Sequence, residues 1–113
     1  MDKPKIIEGI IQNPEGITLA LNGSIPHISN GFYVSVTNNA FKNVSEDIIQ
    51  QVIAQVAGNP IAQFIGSWYS TKTNEFFIDA TALIPMLSNA LEAARMFGQQ
   101  AIFDIGKMQE LYV

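Results

Sequence analysis

The sequence has no cysteine, a single arginine, a single histidine and a single tryptophan. Without cysteine the chain has no disulfide, no thiolate ligand for zinc and no thiol nucleophile. The absence of thiols fits a reducing compartment. The opening residues, Met-Asp-Lys-Pro-Lys, lack the apolar core of a signal peptide, and no apolar run approaches the roughly 20 residues that span a bilayer. We therefore predict a cytoplasmic protein without a membrane partner.

Charged residues make up only 14% of the chain, while hydrophobic residues make up 48%. Six basic and ten acidic residues give a net charge of -4, and no run of Lys or Arg could follow a phosphate backbone. A nucleic acid polymer is therefore not an expected partner. A surface with so few charges resembles the core of a protein interface, which predicts a homo-oligomer.

The length of 113 residues predicts one α+β domain covering residues 1–113. In the N-terminal third, residues 5–12 are rich in isoleucine and predict a strand, which an Asn-Pro-Glu-Gly turn at 13–16 joins to a second strand at 17–21. A short edge strand is predicted at 24–28, because Pro26 cannot donate to a central ladder. Residues 32–37 complete a predicted meander.

Two helices are predicted in the rest of the chain. Ser45 is a predicted N-cap, and the first helix ends near Gly58; the second begins at Pro85 and ends before Gly98. Between them, 61–69 and 74–81 predict a hairpin. A strand follows at 101–105, and 110–113 predicts a short strand or a helical turn. The order predicts a mainly antiparallel sheet with both helices packed on one face.

No catalytic or metal-binding motif stands out in the sequence, and we expect neither a metal nor another cofactor. His27 is an isolated histidine, for which a structural role is the main expectation. Asp79 and Asp104 each lie in an apolar strand. If those strands are neighbours, the two carboxylates could form a pair with a raised pKa, suited to hydrolysis or metal binding. The alternative is that each caps a nearby backbone group or faces solvent.

The aromatic residues of the predicted hairpin divide between the two faces of the sheet. Of Trp68, Tyr69, Phe76 and Phe77, two should point to each side, and one pair should join the core. The other pair needs a cover, which could be the N-terminal meander, a second subunit or a flat ligand such as a purine ring. Arg95 either pairs with Glu92 on the helix surface or binds an anion.

Three segments of the C-terminal half resemble a module of small phage and mobile-element proteins. They are GSWYSTKTNEFFID at 66–79, NALEAAR at 89–95 and GQQAIFDI at 98–105. The module has a Gly-Gly-Trp strand, a Thr-Gly turn, a strand ending in Asp, a helix and a Gln-x-Ala-Ile segment. This chain has Ser67 in place of the second glycine and Asn74 in place of the turn glycine.

Among such proteins, the chain weakly resembles the Thoeris anti-defence proteins, which sequester a cyclic ADP-ribose-type signal in the bacterial cytoplasm without degrading it. The resemblance implies a non-enzymatic oligomer whose ligand-binding residues would be Trp68 or Phe77 for stacking, Asn89 for a base edge and Arg95 for phosphate. Two alternatives remain: an inhibitor acting by direct protein–protein contact, and a small hydrolase that uses Asp79 and Asp104.

Overall fold

A computed structural model describes residues 2–113. The N-terminal element is a helix, α1 (Lys3–Gln12), so the predicted strand at 5–12 is wrong. Asp2 caps this helix by accepting a hydrogen bond from the Lys5 N–H at 3.1 Å, and Pro4 lies in its first turn. Ile6 and Ile10, four residues apart, are fully buried. Burial of this stripe outweighs the strand propensity of isoleucine.

Three short strands follow: β1 (Ile17–Leu19), β2 (Phe32–Ser35) and β3 (Ala40–Phe41). Residues 20–31 form no helix or strand, so the predicted strand at 24–28 is also wrong. The Asn22 side chain accepts the Ser24 N–H at 3.0 Å, and the Ala20 N–H bonds to the Ser24 carbonyl at 2.9 Å. These local bonds form a turn in place of a sheet ladder.

The second helix, α2 (Glu46–Gly58), confirms the predicted N-cap, because the Ser45 Oγ accepts the Ile48 N–H at 3.3 Å. The predicted hairpin is also confirmed as β4 (Ala62–Ser70) and β5 (Glu75–Ile84). Asn74 closes its turn with a φ of 56°, a conformation that asparagine tolerates better than most residues.

The third helix, α3 (Leu87–Met96), begins two residues after Pro85, so this proline precedes the helix and does not lie in its first turn. Gly98 follows the helix with a φ of 67°, as predicted for a residue that ends a helix. Two further strands follow, β6 (Ala101–Asp104) and β7 (Gln109–Tyr112). For residues 110–113 the sequence predicted either a short strand or a helical turn, and the strand is the one that forms.

The seven strands within residues 2–113 form one antiparallel sheet in the order β1-β4-β5-β2-β6-β7, with β3 pairing β5 beyond the end of β2. Ile65 lies opposite Ala80, and Val34 lies opposite Ala82, so these side chains share one face. The first pair packs in the core built with α1 and α2, while Val34 packs against α3. The predicted α+β fold with helices on one face is confirmed, with three helices in the described part of the chain instead of two.

No helix within residues 2–113 is long and apolar enough to span a membrane.

Candidate functional site

The side of the sheet that faces away from the three helices, here called the open face, carries most of the candidate residues. Side chains alternate between faces along a strand, and opposed residues of antiparallel strands share a face. The register therefore places on this face the residues Thr18, Tyr33, Ser35, Phe64, Gly66, Trp68, Phe77, Asp79, Thr81, Leu83 and Phe103. Aromatic rings at two positions along the strands flank a band of small and polar residues.

Trp68 and Phe77 form a stacked pair, here called the platform. They lie opposite each other on β4 and β5, with ring centroids 4.7 Å apart and planes inclined by 11°. Trp68 remains 50% exposed. The β1 register, continued by one residue, places Gly16 beside Trp68, and an ideal Cβ at Gly16 would meet only the Ser67 carbonyl oxygen within 4 Å. The platform therefore offers indole surface to a flat ligand.

The other two aromatic residues of the hairpin pack on the helix side. Tyr69 and Phe76 are opposed, 4.8 Å apart between ring centroids, and Phe76 contacts the core. This confirms that the four aromatic residues divide into one pair on each face. A further edge-to-face pair, Tyr33 and Phe64, lies on the open face with centroids 5.8 Å apart.

Asp79 lies on the open face opposite Gly66 and is only 9% exposed. Its Oδ1 accepts the Thr37 hydroxyl at 2.9 Å and the Asn39 N–H at 2.8 Å. Burial raises the pKa of Asp79 to about 6, although both hydrogen bonds act to lower it. Desolvation of the carboxylate is thus the larger effect at this position.

The Asp79 hydrogen bonds hold the irregular segment between β2 and β3. Asn39 also donates to the Gln55 side chain of α2 at 2.6 Å, and Gln99, just after α3, donates to the Thr37 carbonyl at 3.2 Å. One connected network therefore joins the sheet to α2 and to the segment that follows α3. Because Asp79 holds this network together, its burial has a structural explanation and does not require a catalytic role.

Asp104 does not approach Asp79, because β2 lies between β5 and β6. The register also places Asp104 opposite Phe32, on the helix side of the sheet, whereas Asp79 is on the open face. The Asp104 Oδ1 accepts the Lys107 N–H at 3.2 Å. Both carboxylates bind backbone N–H groups, as the alternative interpretation predicted, and the paired arrangement does not form.

Asn89 and Arg95 lie on α3, on the opposite side of the sheet from the platform, and both are exposed. Within one copy of the chain, the four predicted ligand-binding residues therefore do not form one site. Asn89 lines an open groove of about 450 Å³ between α3 and the segment that leads from α2 into β4. The groove has mainly apolar walls, with Ile61, Met96 and Phe97 among the lining residues.

An exposed apolar surface accompanies the groove. Ile61 and Met96 are 41% and 73% exposed, and Met86 and Leu87 at the start of α3 are 60% and 44% exposed. Large apolar side chains grouped on a surface are typical of interaction sites. Methionine suits such a surface because its flexible side chain adapts to different partners.

The remaining candidates lie apart from both surfaces. His27 is exposed in the irregular segment that joins β1 to β2. Within residues 2–113, no three His, Cys, Asp or Glu side chains are grouped closely enough to hold a metal ion.

Sequence reasoning missed the glycine in the middle of β4. An ideal Cβ on Gly66 would lie 2.7 Å from the Thr81 Oγ1, so no other residue fits there without a shift. A glycine inside an otherwise regular strand is a known signal of such a close approach. The sequence Gly66-Ser67-Trp68 contained that signal. Gly66 lies on the open face, two residues before Trp68 of the platform.

Comparisons of the chain with protein-family models, with curated proteins and with solved structures found no match. The open face and the α3 groove are therefore the features of the chain that bear on its function.

Proposed function

We propose that this protein acts by binding without catalysis, and that it sequesters a nucleotide signal of the cyclic ADP-ribose type. In this proposal it is a phage or prophage protein that works in the cytoplasm of the bacterial host and blocks a defence system. The ligand class and the biological setting come from the resemblance of residues 66–79, 89–95 and 98–105 to the anti-defence module.

The observation that supports the proposal is the half-exposed platform. A preformed indole surface can stack on a purine ring without reorganisation, and base–aromatic stacking contributes about 1–3 kcal/mol per base. The ring of Trp68 is already oriented by Phe77 at 4.7 Å between centroids. Sequestration needs affinity and preorganisation and requires no general acid or base.

The ligand contacts in one copy of the chain would come from Trp68 and Phe77. Asn89 and Arg95 could join them only if a second copy brought its α3 to the platform, so their assignment depends on the proposed homo-oligomer. Light scattering coupled to size-exclusion chromatography tests this dependence. A monomer at all concentrations would remove Asn89 and Arg95 from the proposed site.

The test of the function is a thermal-shift and calorimetric screen with cyclic and linear ADP-ribose derivatives, followed by chromatography of the recovered ligand. A ligand at about 100 times its Kd adds roughly 2.7 kcal/mol to the free energy of unfolding. We expect such stabilisation with chemically unchanged ligand. Recovery of a cleaved ligand would contradict sequestration, and no stabilisation by any of these compounds would reject this ligand class.

A matched pair of variants assigns the binding to the platform. Trp68→Ala should abolish the ligand-induced stabilisation, because it removes the exposed indole surface. Tyr112→Ala serves as the control, because Tyr112 is an aromatic residue that is 80% exposed on β7, away from the platform. Equal loss in both variants would show that the effect is not specific to Trp68.

Direct contact with a host protein is the second candidate function. It is favoured by the exposed apolar surface around α3 and by the open shape of the platform, which is not enclosed in a cavity. Leu87→Asp and Met96→Asp would place charges on this surface and should abolish such contact, and in a monomer they should leave stacking on Trp68, on the other side of the sheet, intact. The two candidates therefore respond to different variants.

The third candidate, a hydrolase that uses Asp79 and Asp104, required the two carboxylates to be neighbours. Since β2 separates their strands, that arrangement gives no support to this candidate.

A further inference from the structure

We propose that the Asp79 Oδ2 accepts hydrogen bonds from the ribose hydroxyl groups of the same ligand whose base stacks on Trp68. This inference rests on the proposed function and specifies it, because it assigns a second part of the nucleotide to a second place on the open face. Asp79 is then a ligand-binding residue without a catalytic role. The ligand class is a nucleoside or nucleotide with free ribose hydroxyl groups.

The protein itself uses only one oxygen of the Asp79 carboxylate. The Thr37 hydroxyl and the Asn39 N–H both donate to Oδ1, at 2.9 and 2.8 Å. Among the non-exposed side chains of residues 2–113, the Ser67 Oγ is the only oxygen or nitrogen that is both buried and without a hydrogen-bond partner. Since the Asp79 Oδ2 makes no hydrogen bond to these residues, it reaches the surface, although Asp79 is only 9% exposed.

This free oxygen lies beside Gly66. Strand β5 pairs with β4 on one side and with β2 and β3 on the other, and Thr37 and Asn39 belong to the segment between β2 and β3. Their hydrogen bonds therefore hold Oδ1 on the side away from β4. On the β4 side the residue opposite Asp79 is Gly66, which has no side chain to cover Oδ2.

The surroundings of Gly66 combine aromatic rings with polar groups. Its neighbours on the same face are Phe64 and Trp68 along β4, and Thr18 and Asp79 across the strands. The Thr18 Oγ1 is 3.9 Å from the ideal Cβ position of Gly66. Aromatic walls with a few polar groups are typical of small-ligand sites, and a carboxylate is the group that binds a ribose hydroxyl in dinucleotide-binding folds.

The spacing suits one ligand that touches both places. Trp68 lies opposite Phe77, so Asp79, two residues further along β5, is its diagonal neighbour. Diagonal neighbours on one face are about 7–8 Å apart. Gly66 lies between the two, and Thr81, whose hydroxyl fills the space beside it, is only 2% exposed. No side chain therefore separates a ribose, joined to a base on Trp68, from Asp79.

The Asp79 carboxylate is a hydrogen-bond acceptor at neutral pH. Burial raises its pKa to about 6, so the group is mainly ionised at pH 7.5. An ionised carboxylate only accepts hydrogen bonds, and bonds to ionised groups are roughly twice as strong as those between neutral groups. A ribose hydroxyl would therefore supply the donor that the protein does not supply to Oδ2.

The test uses the fluorescence of Trp68, which is the only tryptophan of the chain and so reports on the platform directly. The full chain is titrated at pH 7.5 with adenosine and with 2′,3′-dideoxyadenosine, which has the same base and lacks both ribose hydroxyls. We expect both compounds to quench the fluorescence, with adenosine binding at least about tenfold more tightly. This comparison uses the unchanged chain and does not depend on the folding of a variant.

A matched pair of variants assigns the preference to Asp79. Asp79→Asn keeps an oxygen for Thr37 and Asn39 and replaces Oδ2 by a neutral amide group. It should bind dideoxyadenosine as the original chain does, while its preference for adenosine should fall to about threefold or less, because the charge-assisted bond is lost. Asp104→Asn, on the other face of the sheet, removes the same charge and should retain the full preference.

The outcomes separate this inference from the function on which it rests. Equal binding of adenosine and dideoxyadenosine would overturn the ribose contact and leave the platform intact. A preference that is unchanged in Asp79→Asn would also overturn it. Failure of both compounds to quench Trp68 would reject the platform itself, and with it the proposed function.

Discussion

Thr81 fills the space in which a side chain at position 66 would lie: its Oγ1 is 2.7 Å from the ideal Cβ position of Gly66. The same hydroxyl donates to the Asp79 carbonyl at 3.2 Å, and Thr81 is 2% exposed. At the centre of the open face, the buried hydroxyl of Thr81 on β5 therefore occupies the space left by the missing side chain of Gly66 on β4.

The first prediction follows from this contact. Gly66→Ala should lower the free energy of unfolding by about 1–3 kcal/mol, because the added methyl group forces Thr81 to move within packed surroundings. Gly58→Ala is the matched control: nothing lies within 4 Å of its ideal Cβ, and alanine favours a helix by up to about 1 kcal/mol. Urea denaturation of both variants measures the difference. A Gly66→Ala variant as stable as Gly58→Ala would contradict the close approach.

The second prediction concerns the pH dependence that Asp79 introduces. Its pKa is about 6 in the folded chain and 3.8 as an ordinary value, so the folded chain binds more protons between these limits. The free energy of unfolding should therefore fall as pH rises from about 4 to 6, by at most about 3 kcal/mol. Asp79→Asn keeps an oxygen acceptor for Thr37 and Asn39 but carries no charge.

We expect Asp79→Asn to be more stable than the original chain at pH 7.5, and to lose this part of the pH dependence. Urea denaturation at pH 4.5, 5.5 and 7.5 checks both statements, and Asp104→Asn, on the other face of the sheet, is the control that should retain the dependence. If Asp79→Asn were less stable than the original chain at pH 7.5, the hydrogen bonds from Thr37 and Asn39 to the charged carboxylate would contribute more than its desolvation costs.

The third prediction compares two buried serines of β4. The Ser67 Oγ is buried without a hydrogen-bond partner, whereas the Ser70 Oγ accepts the Thr73 N–H at 3.3 Å. Ser67→Ala should raise the free energy of unfolding by about 1 kcal/mol, because it removes an unsatisfied polar group. Ser70→Ala should lower it by a similar amount. Thermal unfolding of the two variants should therefore shift in opposite directions, and equal shifts would contradict the hydrogen-bond assignment.

Local sequence signals were sufficient for much of the fold. The Ser45 cap, the Asn74 turn and the terminating Gly98 each depend on the conformation of a few neighbouring residues, and each was predicted. The first helix was missed because isoleucine-rich residues 5–12 suggest a strand. Three features of the same segment indicated a helix: the four-residue spacing of Ile6 and Ile10, the capping residue Asp2 and Pro4 in the first turn.

The arrangement of the candidate site could be predicted only in part. Alternation along β4 and β5 was enough to predict that the four aromatic residues divide between the two faces, while the register of the hairpin was needed to pair Trp68 with Phe77. The insertion of β2 between β5 and β6 depends on pairing between distant segments, which no local pattern specifies. For that reason the sequence could not show that Asp79 and Asp104 are separated, or that Arg95 lies across the sheet from Trp68.

The most direct test of the account is a titration of Trp68 fluorescence with cyclic ADP-ribose, with chromatographic analysis of the ligand recovered at the end point. The account predicts saturable quenching, loss of the ligand-dependent thermal shift in Trp68→Ala, and recovery of the ligand in unchanged form. Fluorescence that does not respond to the ligand, or a ligand recovered as a cleaved product, would contradict binding without catalysis at the platform.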